Sequence, residues 1–277
     1  MKLQAYAPNG KYIKNLKDYI SPIVKLLQHY KVDAGLIKQY NSFMDVELER
    51  NTEERGDQQV TEKQKENYVP LTTIEKDIKK YQIFDAKGKV DPERLENKVI
   101  MMLYFNNYFV GRNDYPEMKI TNQNNIKKLN KNYNHLLVDP KTGLPTKFVL
   151  HKYKTHSKFG RQEFAVPKDL AIALQLYMSV FNKKIGDFLF TSKTGKEYNP
   201  SNFLKNIQRA STAIIGKPLG VDLIRNRIIH YTNFYNNAKK PSIDDKKAFA
   251  KRFLHDMAVG NEYQRLNLEG TSRKPPS

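Results

Sequence analysis

The tightest constraint on the fold lies between residues 132 and 166. Three short runs there, 132–139, 147–154 and 161–166, are rich in β-branched and aromatic residues, the types that favour extended chain. Asp139-Pro140-Lys141-Thr142-Gly143 separates the first two and has the composition of a tight turn, so the chain must fold back on itself there. A small three-stranded antiparallel sheet is predicted.

Helical patterns surround it. Upstream, Leu95, Val99, Met102 and Leu103 mark the buried face of a helix ending near Gly111. Downstream, Pro167 precedes a helix over Asp169 to Phe181, and Asn199-Pro200 supplies a cap and a first-turn proline for the next. That helix carries the stripe Phe203, Ile207, Ala210 and Ile214 and stops at Gly216. A further helix is predicted over Val221 to Tyr235, and Ser242 with Asp245 resembles a capping box for one bearing Phe249, Phe253 and Met257. The first 50 residues also read as helical, through Tyr19, Ile20, Ile23, Leu26 and Leu27 and then Leu36, Ile37, Tyr40, Phe43 and Met44. Apolar residues almost vanish between Glu47 and Asn67, which is linker composition. The expected class is therefore α+β: a helical module and linker over 1–67, then a mostly helical domain with the small sheet over 68–277. The tail, Thr271 to Ser277, is expected to be disordered.

Charge narrows the partner. The chain carries 48 Lys and Arg against 29 Asp and Glu, a formal +19, with a pI near 9.7. Residues 1–68 hold 11 basic and 10 acidic side chains, so +18 of the total falls on the rest. A surface of that sign calls for a polyanion and gives salt-dependent binding to a phosphate backbone. No apolar run approaches the roughly 20 residues of a spanning helix, and Met1 to Tyr12 is polar, unlike a signal peptide. The expectation is a soluble intracellular protein, with no membrane partner, acting wherever its polyanionic partner lies. Cysteine is absent, which excludes disulfides and thiol chemistry, and the six histidines lack metal-ligand spacing.

Metal-free phosphoryl transfer needs a nucleophile, cations around the non-bridging oxygens and an acid for the departing oxygen. Tyrosine, two arginines and a lysine meet that need, since arginine grips phosphate bidentately and lysine can donate a proton. The order helix, Arg, three-strand sheet with Lys, helix, Arg, helix, His, Tyr over roughly residues 69–267 resembles the catalytic domain of the tyrosine recombinases, the phage integrase family. Met102 to Phe105 and Phe109 to Asp114 resemble the family's first arginine motif, which makes Arg112 the first phosphate clamp. Tyr153-Lys154-Thr155-His156, then Gly160-Arg161 and Glu163 to Val166, resemble the hairpin carrying the family's lysine, so Lys154 is the implied general acid and Lys158 the alternative. Asp222-Leu223-Ile224-Arg225 resembles the His-x-x-Arg motif, with Arg225 as the second clamp and Asp222 where histidine is usual. An aspartate there could accept a proton or orient Arg225 but could not donate as imidazolium does, a role that could pass to His230. Phe253-Leu254-His255-Asp256 resembles the Gly-His-x motif with leucine for glycine, and Tyr263 follows His255 by eight residues. His255 would then bind the scissile phosphate and Tyr263 attack it.

The resemblance implies double-stranded DNA as partner, a DNA-dependent tetramer, a 3′-phosphotyrosyl intermediate, and neither cofactor nor metal, since the covalent link conserves the energy of the broken bond. Thr61 to Pro70 is similar to a linker in integrases of viruses and virus-associated mobile elements, and residues 1–50 would be a core-binding module shorter than the family's usual one. Taken singly, each residue is ordinary in a chain with 48 basic residues and 17 tyrosines. Their order and element context carry the reading. Two alternatives stand beside it: a type IB topoisomerase-like activity that religates the same strand, and a catalytically weakened DNA-binding protein derived from a recombinase.

Overall fold

The computed structural model describes residues 16–56, 66–106, 109–192, 195–196, 198, 200–225 and 242–254. Asn199, His230, His255, Met257 and Tyr263 lie outside them, as do residues 61–65 of the stretch Thr61 to Pro70, residues 226–235 of the helix expected to reach Tyr235, and the tail from Thr271. Contacts divide the chain into two units, Met1–Gln59 and Val60–Ser277.

The first unit is a helical pair, α1 (Leu16–His29) and α2 (Ala34–Gly56), packed on each other. Lys31, with φ 51°, makes the reversal between them, and the Asp33 carboxylate takes the Leu36 N–H at the start of α2. Among the described residues Ile20 and Val24 are its buried side chains, whereas Tyr19, Ile23 and Leu26 are exposed. The expected linker from Glu47 is corrected in part: α2 runs on to Gly56. Glu, Arg and Gln favour helix without needing an apolar face, so the absence of a stripe did not mean the absence of a helix.

The second unit is built around α4. The helix α3 (Leu71–Lys80) is followed by α4 (Pro92–Tyr104), whose start is set by Pro92 and by the Asp91 carboxylate accepting the N–H groups of Glu93 and Arg94. Leu95, Val99, Ile100, Met101, Leu103 and Tyr104 are all buried, so the helix is enclosed rather than amphipathic. It packs against α3, α6 (Lys168–Val180) and α7 (Pro200–Ile215). In α7 the stripe Phe203, Ile207 and Ala210 is fully buried. The last described helix, α8 (Ile243–Phe253), opens on the Ser242–Asp245 capping box.

The sheet has four strands, not three, and is mixed: β1 (Met118–Thr121), β2 (Asn134–Val138), β3 (Pro145–Leu150) and β4 (Gln162–Ala165), in that order. The expected antiparallel trio is β2–β3–β4. The added β1 pairs parallel with β2, Met118 opposite Asn134. Four residues give too little alternation to read, and a parallel partner has no connecting turn to announce it. The turn from Asp139 forms as expected, its carboxylate taking the N–H groups of Lys141 and Thr142 at 3.0 and 2.7 Å. Those bonds, with the Thr142 hydroxyl, hold the carboxyl below its ordinary range. One face of the sheet places Leu136, Val138, Phe148, Leu150 and Phe164 in the main core; Leu137 and Val149 on the other are covered by Leu129 and Ile126. A short helix, α5 (His156–Phe159), interrupts the β3–β4 connection.

Candidate active site

The site begins where α4 ends. The expected helix end near Gly111 is corrected to Tyr104, because the Asn106 side chain takes over the hydrogen bonding. Its amide donates to the carbonyls of Leu103 and Phe109 and accepts from the Phe109 N–H at 2.9 Å, turning the chain out of the helix. Phe109, Val110 and Tyr115 are then fully buried, with Phe109 stacked on Phe164, so the loop is packed rather than free. Gly111 allows this closeness: a Cβ there would stand 2.9 Å from the Tyr115 ring and 3.1 Å from that of Phe109.

Arg112 follows, fixed at both peptide groups. Its N–H donates to the Asp114 carboxylate at 2.8 Å and its carbonyl accepts from the buried Tyr104 hydroxyl at 2.8 Å. Burial pushes the Asp114 carboxyl upward. The Arg112 N–H and the positive charges of Arg225 and Arg112 oppose that shift without cancelling it.

Arg225 lies on the helical residues described at 221–225, in their wider, π-type part. It is 3% exposed, lies 5.4 Å over the Phe253 ring and donates from its guanidinium to the Phe253 carbonyl. Two more contacts hold the end of α8. The Val110 N–H donates to the Arg252 carbonyl at 3.1 Å, and the Thr155 hydroxyl to that of Leu254 at 2.8 Å. The last carbonyls of α8 are thus received by three separate segments, which fixes the point from which the chain departs toward residue 255. Leu254 itself sits at φ 53°, a backbone region uncommon for leucine.

Lys154 belongs to the β3–β4 connection, not to a strand as expected, since β3 stops at Leu150. Its neighbours hold the loop. Tyr153 donates to the carbonyl of Gly160, whose φ of +60° suits a residue without a Cβ, and Thr155 reaches α8. Competing cations of the hairpin are engaged, Lys152 with Glu117 and Arg161 with Glu163. Lys154 is exposed and, among the described residues, makes no hydrogen bond or ion pair. Lys158 lies on α5, where its ammonium stands 5.9 Å from the Phe159 ring centroid.

Arg112, Asp114, Tyr153, Lys154, Thr155, Arg225, Phe253 and Leu254 line one pocket. Three of the residues singled out in the sequence, Arg112, Lys154 and Arg225, therefore converge from distant segments. Asp222 does not: it is exposed and is not among the lining residues. His255, Tyr263 and His230 lie outside the described residues. The sequence reading missed Asp114, Tyr153 and Thr155, although each is within two residues of a cation it had marked. It also missed Asn134, a residue type depleted in strands and therefore a detectable anomaly. Chemically, the pocket brings the guanidinium of Arg225, anchored on the Phe253 carbonyl, together with the cationic side chains of Arg112 and Lys154, a set of charges that can receive an oxyanion.

Among the described residues no cluster of potential metal ligands occurs, and no helix is long and apolar enough to cross a membrane. No protein-family model matches the chain, and no curated protein does. Among solved structures, it is similar to one described as the crystal structure of XerA recombinase, with 13% sequence identity, a TM-score of 0.40, and coverage of 91% of this chain and 95% of that one.

Proposed function

We propose that the protein is a tyrosine site-specific recombinase or integrase, cutting and rejoining DNA strands through a 3′-phosphotyrosyl intermediate. One observation carries the reading: Arg112, Lys154 and Arg225, marked separately in the sequence, line a single pocket at the end of α8, from which the chain leads on to Tyr263. Two clamps and an acid lining one pocket are the cationic parts that metal-free strand transfer requires.

In this reading the Tyr263 hydroxyl loses its proton to solvent, its oxygen bonds to the scissile phosphorus and the bond to the 5′ oxygen breaks. Arg112, Arg225 and His255 stabilise the charge on the pentacoordinate phosphorus, and Lys154 gives its proton to the departing 5′ oxygen. Attack by another 5′ hydroxyl reverses the steps and releases the tyrosine. Arg225, already anchored to the Phe253 carbonyl, needs no reorganisation as charge develops, which is the source of electrostatic catalysis. The excess of +18 on residues 69–277 supplies the surface for duplex DNA, residues 1–67 supply a helical module and linker, and a DNA-dependent tetramer brings two duplexes together.

A nicked duplex that loses its short 5′ fragment after cleavage traps the intermediate. The wild type should form a covalent protein–DNA adduct mapping to Tyr263, and Tyr263→Phe should abolish it while binding DNA as before. An adduct on another residue, or none from the wild type on its own target, would refute the proposal. Relaxation of supercoiled plasmid without recombinant products would point instead to the topoisomerase-like activity.

A further inference from the structure

The Asn134 side chain opens β2 and is 3% exposed, although an amide buried in a strand is unfavourable unless its hydrogen bonds are met. All four are met. Its Nδ2 donates to the carbonyls of Asp114 at 3.0 Å and Lys152 at 2.9 Å. Its Oδ1 accepts from the N–H groups of His151 at 3.0 Å and Lys152 at 2.9 Å. On the β3 side it acts as one more peptide unit, continuing the β2–β3 ladder past Leu150, where the strand ends. The remaining donor crosses to the other loop.

We propose that Asn134 is a positioning residue for strand cleavage, holding the Arg112 loop and the Lys154 loop at a fixed separation through its side-chain amide. The inference rests on the function proposed above. Asp114 binds the Arg112 N–H at 2.8 Å, and Lys152 lies two residues before Lys154, so one amide joins the segment that carries a phosphate clamp to the segment that carries the acid. No other residue type fits both sides. Aspartate has the shape but no donor, glutamine is a methylene too long, and leucine would leave the two carbonyls and two N–H groups bare. Since Arg112 is otherwise held by Tyr104 and Lys154 by no partner among the described residues, loss of the amide should displace the lysine more than the arginine.

The test uses the full chain with Asn134→Asp and Asn134→Ala on two nicked substrates. One has an ordinary scissile phosphodiester; in the other sulfur replaces the bridging 5′ oxygen. A thiolate leaves without a proton, so the second substrate does not depend on Lys154, and Lys154→Ala serves as the reference pattern. Rates are scaled to the folded fraction from circular dichroism. Both variants should bind DNA as the wild type does and form the adduct on the oxygen substrate about 100-fold more slowly, the cost of misplacing a catalytic group by roughly 1 Å. The sulfur substrate should recover about tenfold or more of that loss, as for Lys154→Ala. Unchanged rates, equal slowing on both substrates, or failure of both variants to fold would overturn the proposal, the last because Asn134 would then serve the fold alone. A wild type that forms no adduct on either substrate would instead remove the parent function.

Discussion

Replacing Arg225 by lysine separates charge from geometry at the pocket. The guanidinium donates to the Phe253 carbonyl and lies against the Phe253 ring while 3% exposed. Lysine keeps the charge, but its compact ammonium on a flexible stem cannot hold the carbonyl and present a planar fork to a phosphate together. In the fold, the change removes one hydrogen bond to a charged donor, about 1.5–3 kcal/mol, seen as a lower urea midpoint with an unchanged slope. In the reaction it removes one preorganised transition-state donor, about 100- to 1000-fold in rate, or roughly 2.7–4 kcal/mol. The two losses are read separately, by urea titration and by single-turnover adduct formation on the nicked substrate where the variant is fully folded. Arg225→Lys should bind DNA nearly as well as the wild type and form the adduct at least about 100-fold more slowly. Wild-type rates would mean that the guanidinium serves only the end of α8. A loss of DNA affinity as large as the loss of rate would mean that it grips the phosphate equally before and during reaction, which is binding rather than catalysis.

Gly111→Ala should cost about 1–3 kcal/mol in chemical denaturation, because the new methyl meets the fully buried Tyr115 and Phe109 rings, which have nowhere to move. A neutral effect would show that the Arg112 loop is looser than its packing implies. Two buried histidines, His135 on β2 and His151 just past the end of β3, make stability depend on pH. Burial lowers His135, helped by Lys119 and opposed by the Asn130 carbonyl, and burial lowers His151 with help from His135, Arg161, His156 and Lys131. Below about 6.5 the unfolded chain therefore binds more protons than the folded one, so this stability is present above that pH and lost as pH falls, by at most about 1.4 kcal/mol per unit for each ring. Urea midpoints measured across that window should fall with acid for the wild type and flatten for a His135→Gln, His151→Gln double variant; an undiminished slope in the variant would assign the effect elsewhere.

Local signals survived folding almost intact. The Ser242–Asp245 box, the Asp139 turn and the stripe of α7 each arise from interactions within a few residues, so the chain near them determines the outcome. The end of α4 was misplaced by the same logic in reverse. Buried apolar residues continue through Phe109 and Val110 as they would in a helix, but the Asn106 amide bonds to both sides of the break and redirects them into the core. Likewise β1 was invisible because its partner is β2, across an intervening loop, and parallel pairing leaves no mark in either strand's own sequence.

By itself the sequence determined the residue types and their order: a basic chain without cysteine, two arginines and a lysine in a fixed succession, and helix and turn signals around them, all local or additive properties. Only the tertiary structure decided which cations meet. It drew Arg112, Lys154 and Arg225 to one pocket, left Asp222 outside its lining, and recruited Asp114, Thr155 and Asn134 to hold the loops. The physical reason is that buried polar groups must find partners wherever the fold brings them. Those partners are set by packing between segments far apart in the chain, which no local pattern records.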